Sequence, residues 1–109
     1  LAQADSLSMD ANSVINVSAI DNGNAGSAVL WSNGVTDFNG QILATGGANG
    51  GNGGLVETSG AYLNSYGDVD ASAAKGRAGQ WLLDPLNMRW HNYDYTYGNT
   101  SECARFGYC

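Results

Sequence analysis

Asp68 and Asp70 stand two apart in the run Asp68-Val69-Asp70, a spacing that puts both carboxylates on one face of a strand. Such a pair could do general acid–base work. A solvated outer face or a turn is the simpler reading. The other acids are scattered, and the only bases are Lys75, Arg77, Arg89 and Arg105. Asp84 precedes Pro85, where a turn is expected. His91 has no obvious nucleophile to serve, and Ser59 lies in Thr58-Ser59-Gly60 rather than in a Gly-x-Ser-x-Gly elbow. The tract from Gly46 to Gly54 evokes a calcium-binding glycine repeat, but the Asp ligands are missing. No Gly-Lys-Ser/Thr follows it, so it is not a phosphate loop. Cys103 and Cys109, with five residues between them, suit a small disulfide loop in an oxidising compartment. Two free thiols and bridges between subunits remain open. One His and two Cys make a poor zinc set. The residues predict no catalytic, cofactor or metal site, and no enzyme.

The elements that hold these residues must be short strands. Sixteen Gly, a single Pro and an abundance of Asn, Ser and Thr suit a turn-rich β protein. Gly density and the lack of a long 3.6-residue period exclude helix for most of the chain. Ala71 to Ala74 could form one helical turn. A net charge of −6 argues against nucleic acid and anionic membrane surfaces. No apolar run approaches the roughly 18 residues of a membrane span. The chain begins at Leu1 without a Met or a basic-then-apolar leader, so it reads as processed or excised from something longer.

A repeat organises the middle of the chain. The β-branched starts Ile15, Ile42 and Val69 are spaced by 27 and 27 residues. A Gly-x-x-Gly pair follows each: Gly23 and Gly26, Gly50 and Gly53, Gly76 and Gly79, spaced by 27 and then 26. An apolar step comes next: Ala28-Val29, Leu55-Val56, Trp81-Leu82. Gly40 and Gly67 each sit two residues before the next start. Each unit therefore reads as three short strands joined by Gly and Asn turns, which is a coil of a β-solenoid. Gly and Asn are expected to supply positive φ at the corners. Coils bury their inner faces by stacking. The expected core is Ile15, Val29, Ile42, Val56, Val69, Trp81 and Leu82, with Ala44, Ala71 and Ala73 suiting a narrow interior.

The ordered series GGANGGNGGLVETSG (Gly46 to Gly60) and VDASAAKGRAGQWLLDP (Val69 to Pro85) closely resembles a signature of filamentous-haemagglutinin-like exoproteins. INVSA and GSAVLWS look like the preceding coil of that family. The resemblance spans Val14 to Asn87, roughly two thirds of the chain. It implies an all-β, right-handed parallel β-helix of about three coils, exported through a dedicated outer-membrane pore by two-partner secretion. Members serve as adhesins, haemagglutinins, toxin carriers and biofilm matrix components. The matched motif is scaffold: Gly50, Gly53 and Gly54 for the turn, Val56 and Leu82 for the core, Trp81 as an inner or edge aromatic.

The coils are expected over 1–85, and an irregular, aromatic, cysteine-closed tail over 86–109, as a cap or junction segment. Trp90, Tyr93, Tyr95, Tyr97, Phe106 and Tyr108 crowd into that tail. They suit a subunit contact, a sugar-stacking platform or a cap on the last coil. Some high-molecular-weight adhesins of the family end in a cysteine-closed loop that tethers them to their pore, and Cys103 to Cys109 is similar in kind. Sequons occur at Asn16 and Asn99; some members are glycosylated, which makes Asn99 a modest candidate. The expected function is a rod segment or subunit of a secreted, cell-surface fibre that stacks end to end. The alternative is an adhesin that binds surface glycans through the tail aromatics.

Overall fold

The computed structural model describes residues 1–83, 87–90, 93–96 and 100–103, and every regular element among them is a strand. The first coil carries β1 (Ala2–Ala4), β2 (Leu7–Met9) and β3 (Val14–Asn16). The second carries β4 (Ser27–Ser32), β5 (Val35–Phe38) and β6 (Gln41–Leu43). The third carries β7 (Leu55–Ser59), β8 (Tyr62–Ser65) and β9 (Asp68–Asp70). A further level holds β10 (Gln80–Leu83) and β11 (Asn87–Trp90). Two more strands follow, β12 (Tyr93–Thr96) and β13 (Thr100–Cys103), so the tail expected to be irregular holds paired strands instead.

Each strand pairs in parallel with its equivalent one coil away, which gives three sheets in the orders β1-β4-β7-β10, β2-β5-β8-β11 and β3-β6-β9. This is a parallel β-helix of about three turns, 39 Å long and 24 × 20 Å across. In the third sheet Ile15 stands beside Ile42 and Ile42 beside Val69, so the 27-residue spacing is the physical coil repeat there. Parallel coils continue past Pro85, because β11 lies beside β8. The boundary expected at 85 therefore falls inside the coil stack.

Strand residues alternate between buried and outward positions, so like positions stack into columns. Ala28, Val56 and Trp81 form one inner column; Leu30, Thr58 and Leu83 form the next. Phe38 and Trp81 meet edge to face, with ring centroids 6.0 Å apart and planes at 88°. Ala44 and Ala71 are fully buried, as a narrow interior requires, and Ala73 is half-buried. Ile42, Val56, Val69 and Trp81 are core residues, as expected. Ile15 is half-buried, since its coil has a neighbour on one side only. Val29 and Leu82 are corrections. They share an outward column with Glu57, and both are half-exposed.

The reason is a register slip at the glycine corner. Taking Gly50 and Gly53 as the partners of Gly23 and Gly26 shifts the middle coil by one residue. In the structure Gly51 stands against Gly23, Gly54 against Gly26, Gly76 against Gly51 and Gly79 against Gly54. Ser27 then pairs with Leu55, and Leu55 with Gln80, so the coil repeat at this face is 28 and then 25 residues. A one-residue slip sends a strand residue to the opposite face. The corner also uses glycine differently from the expectation. Among the described glycines only Gly23, Gly50 and Gly51 have positive φ. At Gly53, Gly54, Gly76 and Gly79 a Cβ would collide with a carbonyl of a neighbouring segment. Close approach of coils, more than unusual dihedrals, keeps side chains out. The run from Ala71 to Ala74 is not helical; Ala74 and Lys75 make a turn.

The interior is partly polar, and its hydroxyls are nearly all paired. The Trp81 indole N–H donates to Thr58 Oγ1 at 3.0 Å. Thr36 Oγ1 donates to the Ser59 carbonyl at 2.8 Å, so Ser32 Oγ, 2.8 Å away, is the donor to Thr36. Ser65 Oγ is buried without a partner. A buried unpaired hydroxyl keeps its desolvation cost with no compensating bond. Ser65→Ala should therefore stabilise the protein by about 1 kcal/mol, read as a higher urea midpoint at unchanged slope.

Candidate functional site

Asp70 and Ser59, two of the residues that could do chemistry, make local hydrogen bonds. Asp68 and Asp70 do share the outward face of β9, flanking buried Val69. Asp70 Oδ1 is engaged locally, accepting from Ser72 N at 3.0 Å and Ser72 Oγ at 2.6 Å. Ser59 is buried, and its hydroxyl donates to Glu57 at 3.3 Å. Among the described residues no three His, Cys, Asp or Glu side chains gather to hold a metal ion. No helix among them is long and apolar enough to cross a membrane. Asn16 is exposed, and its side-chain carbonyl accepts from Ser18 N at 3.0 Å. His91, Asp84 and Asn99 lie outside the described residues.

The glycine corner holds a shallow groove of about 480 Å³, bounded by Asn52, Leu55, Arg77 and Gln80. Its wall is a side-chain ladder. Asn24 Oδ1 accepts from Asn52 N at 2.9 Å, and Asn52 Oδ1 accepts from Arg77 N at 3.0 Å. Each carboxamide thus serves the coil above it, and its acceptor is committed to holding coils together.

The ends of the stack are chemically distinct. At the N-terminal end β1, β2 and β3 occupy a single coil and are paired on one side only. Inside that coil is a hollow of about 250 Å³ lined by Leu1, Ala2, Ile15, Val17, Ala28 and Leu30. Leu1 is 87% exposed and Val14 54%.

At the C-terminal end the chain turns back on itself. β12 pairs antiparallel with β11, and β13 antiparallel with β10. Two sheets are therefore extended by strands of opposite direction, while the third stops at β9 among the described residues. Parallel strands lie roughly 4.8 Å apart, so this end is stepped by about two strand spacings. In register, Trp90 stands opposite Tyr93 and Met88 opposite Tyr95. Met88 and Trp90 are in turn beside Leu63 and Ser65, which are buried. The side chains of Trp90, Tyr93 and Tyr95 lie outside the described residues, so the register gives only their places along β11 and β12. Tyr97, Phe106 and Tyr108 lie outside the described residues. Cys103 ends β13, opposite Gln80, and Cys109 is outside the described residues, so the expected Cys103–Cys109 loop is too.

Sequence reasoning missed the reversal. The period-two tyrosines signalled a strand, and the two residues between Trp90 and Tyr93 were the available hairpin signal.

Comparison of the chain with protein-family models, with curated proteins and with solved structures finds no match.

Proposed function

We propose that the chain is a structural segment of a secreted bacterial surface rod, of the filamentous-haemagglutinin-like kind its sequence resembles. Its N-terminal end seats on another β-helix coil. The observation that carries this reading is the difference between the two ends. The N-terminal end presents one complete coil, three unpaired strand edges and an apolar mouth. Unpaired edges of this kind are templates for another strand. The C-terminal end is stepped and partly covered by reversed strands. Stacking at the open end buries apolar surface and pairs the edges at once. The second reading, a glycan platform on the tail aromatics, has no observation among the described residues in its favour.

Sedimentation of the purified 109-residue protein tests it. Concentration-dependent self-association is expected, seen as end-joined rods by negative-stain microscopy. Ala2→Lys places a charge in the mouth and should shift the population to monomer, with the strand content unchanged by circular dichroism. A wild-type chain that stays monomeric up to its solubility limit would falsify the stacking.

A further inference from the structure

We infer that Asn39 is a site of spontaneous covalent modification, singled out by the fold from five chemically similar positions. The chain carries five Asn-Gly steps: Asn22-Gly23, Asn33-Gly34, Asn39-Gly40, Asn49-Gly50 and Asn52-Gly53. In such a step the glycine amide nitrogen can attack the asparagine Cγ. The new N–Cγ bond closes a succinimide, the bond from Cγ to the side-chain nitrogen breaks, and ammonia leaves with the amide proton. Water then opens the ring at either carbonyl and yields aspartate or isoaspartate. The attacking nitrogen must first give up any hydrogen bond it donates.

Four of the five glycine amides are committed. Gly23 N donates to Gly50 O at 2.9 Å, Gly34 N to Asp5 O at 2.9 Å, Gly50 N to Gly47 O at 3.2 Å and Gly53 N to Arg77 O at 2.8 Å. Three of the corresponding side chains are held as well. Asn33 donates to Asp5 at 3.2 Å, Asn49 donates to Asp21, and Asn52 accepts from Arg77 N. Asn39-Gly40 differs on both counts. Among the described residues the Gly40 amide has no backbone acceptor, and the exposed Asn39 carboxamide has no partner. Yet the position must stay glycine, because a Cβ at Gly40 would strike Ser13 and Met9. The step lies at the corner between β5 and β6. There, Asn39 N donates to Met9 O at 3.1 Å, and Gly40 O accepts from Asp68 N at 3.0 Å. Isoaspartate adds a methylene to the backbone between those two bonds, so modification loosens three coils at one corner.

The experiment ages the native protein at mildly alkaline pH and body temperature, with a parallel sample in concentrated urea. Peptide fragmentation spectra locate each exchange of –NH2 for –OH by residue. In the native sample Asn39 should react about tenfold faster than each of the other four, the rate equivalent of one net hydrogen bond. In urea the five rates should converge, which assigns the difference to the fold. A native Asn39 rate no greater than that of the other four overturns the inference. So does a hierarchy that persists unchanged in urea.

Discussion

Gly53→Ala should be among the most damaging single-methyl changes at the glycine corner. The added Cβ would sit between Ala71 O and Gly79 N. Those two atoms are joined by a 2.7 Å hydrogen bond that closes the corner of the third coil. The methyl must therefore break that bond and push apart two backbone segments. Backbone cannot swing aside as the end of a long side chain can. Overpacking of this kind costs about 3 kcal/mol, a large share of the roughly 5–15 kcal/mol that holds a domain together. Gly23→Ala is the control. Nothing lies within 4 Å of its Cβ, but its φ is +140°. Strain alone should cost about 1 kcal/mol there. Urea unfolding of the two variants should separate close approach from backbone preference. Equal losses would show that the corner has room to relax.

Trp81→Ala should be at least as severe by the opposite route, a void. Trp81 is 2% exposed, sits at the C-terminal end of the column of Ala28 and Val56, and meets Phe38 edge to face. The substitution also removes the donor to Thr58 Oγ1. A loss of about 4 kcal/mol is expected. Trp81→Phe keeps an edge-to-face ring and forfeits the hydrogen bond and some area, so about 1 to 2 kcal/mol should go. If the two variants unfold at the same denaturant concentration, the hydrogen bond and not the packing holds this column.

The contrast between these sites explains what could be read in the chain beforehand. The coil repeat was legible because Ile15, Ile42 and Val69 must all enter one interior at the same height of each turn. The glycine corner was legible as a corner but not in register. Gly50, Gly51, Gly53 and Gly54 offer the same lack of side chain at adjacent positions. Only the backbone approach to Gly23, Gly26, Gly76 and Gly79 decides between them. That ambiguity put Val29 and Leu82 on the wrong face. The tail was expected to be irregular, and it holds strands, two of them reversed. Alternation at Tyr93 and Tyr95 has a period of two in either direction, and no residue type marks chain sense. The candidate site followed the same pattern. Open ends were foreseeable from the coil count, whereas their inequality depends on which way β12 and β13 run.

The pairing of each parallel strand only with its counterpart one turn away also fixes how the molecule must fold. No contact in the coil stack joins distant stretches of chain at random; each new turn closes a loop of about 27 residues onto a template already laid down. The first two turns bear the cost of a nucleus, and every later turn adds at a constant increment, as in a zipper. A chain that emerges through a pore from one end would meet its template in sequence order and never need its unexported part. The reversed strands come last in that order, since β12 has nothing to pair with until β11 is seated.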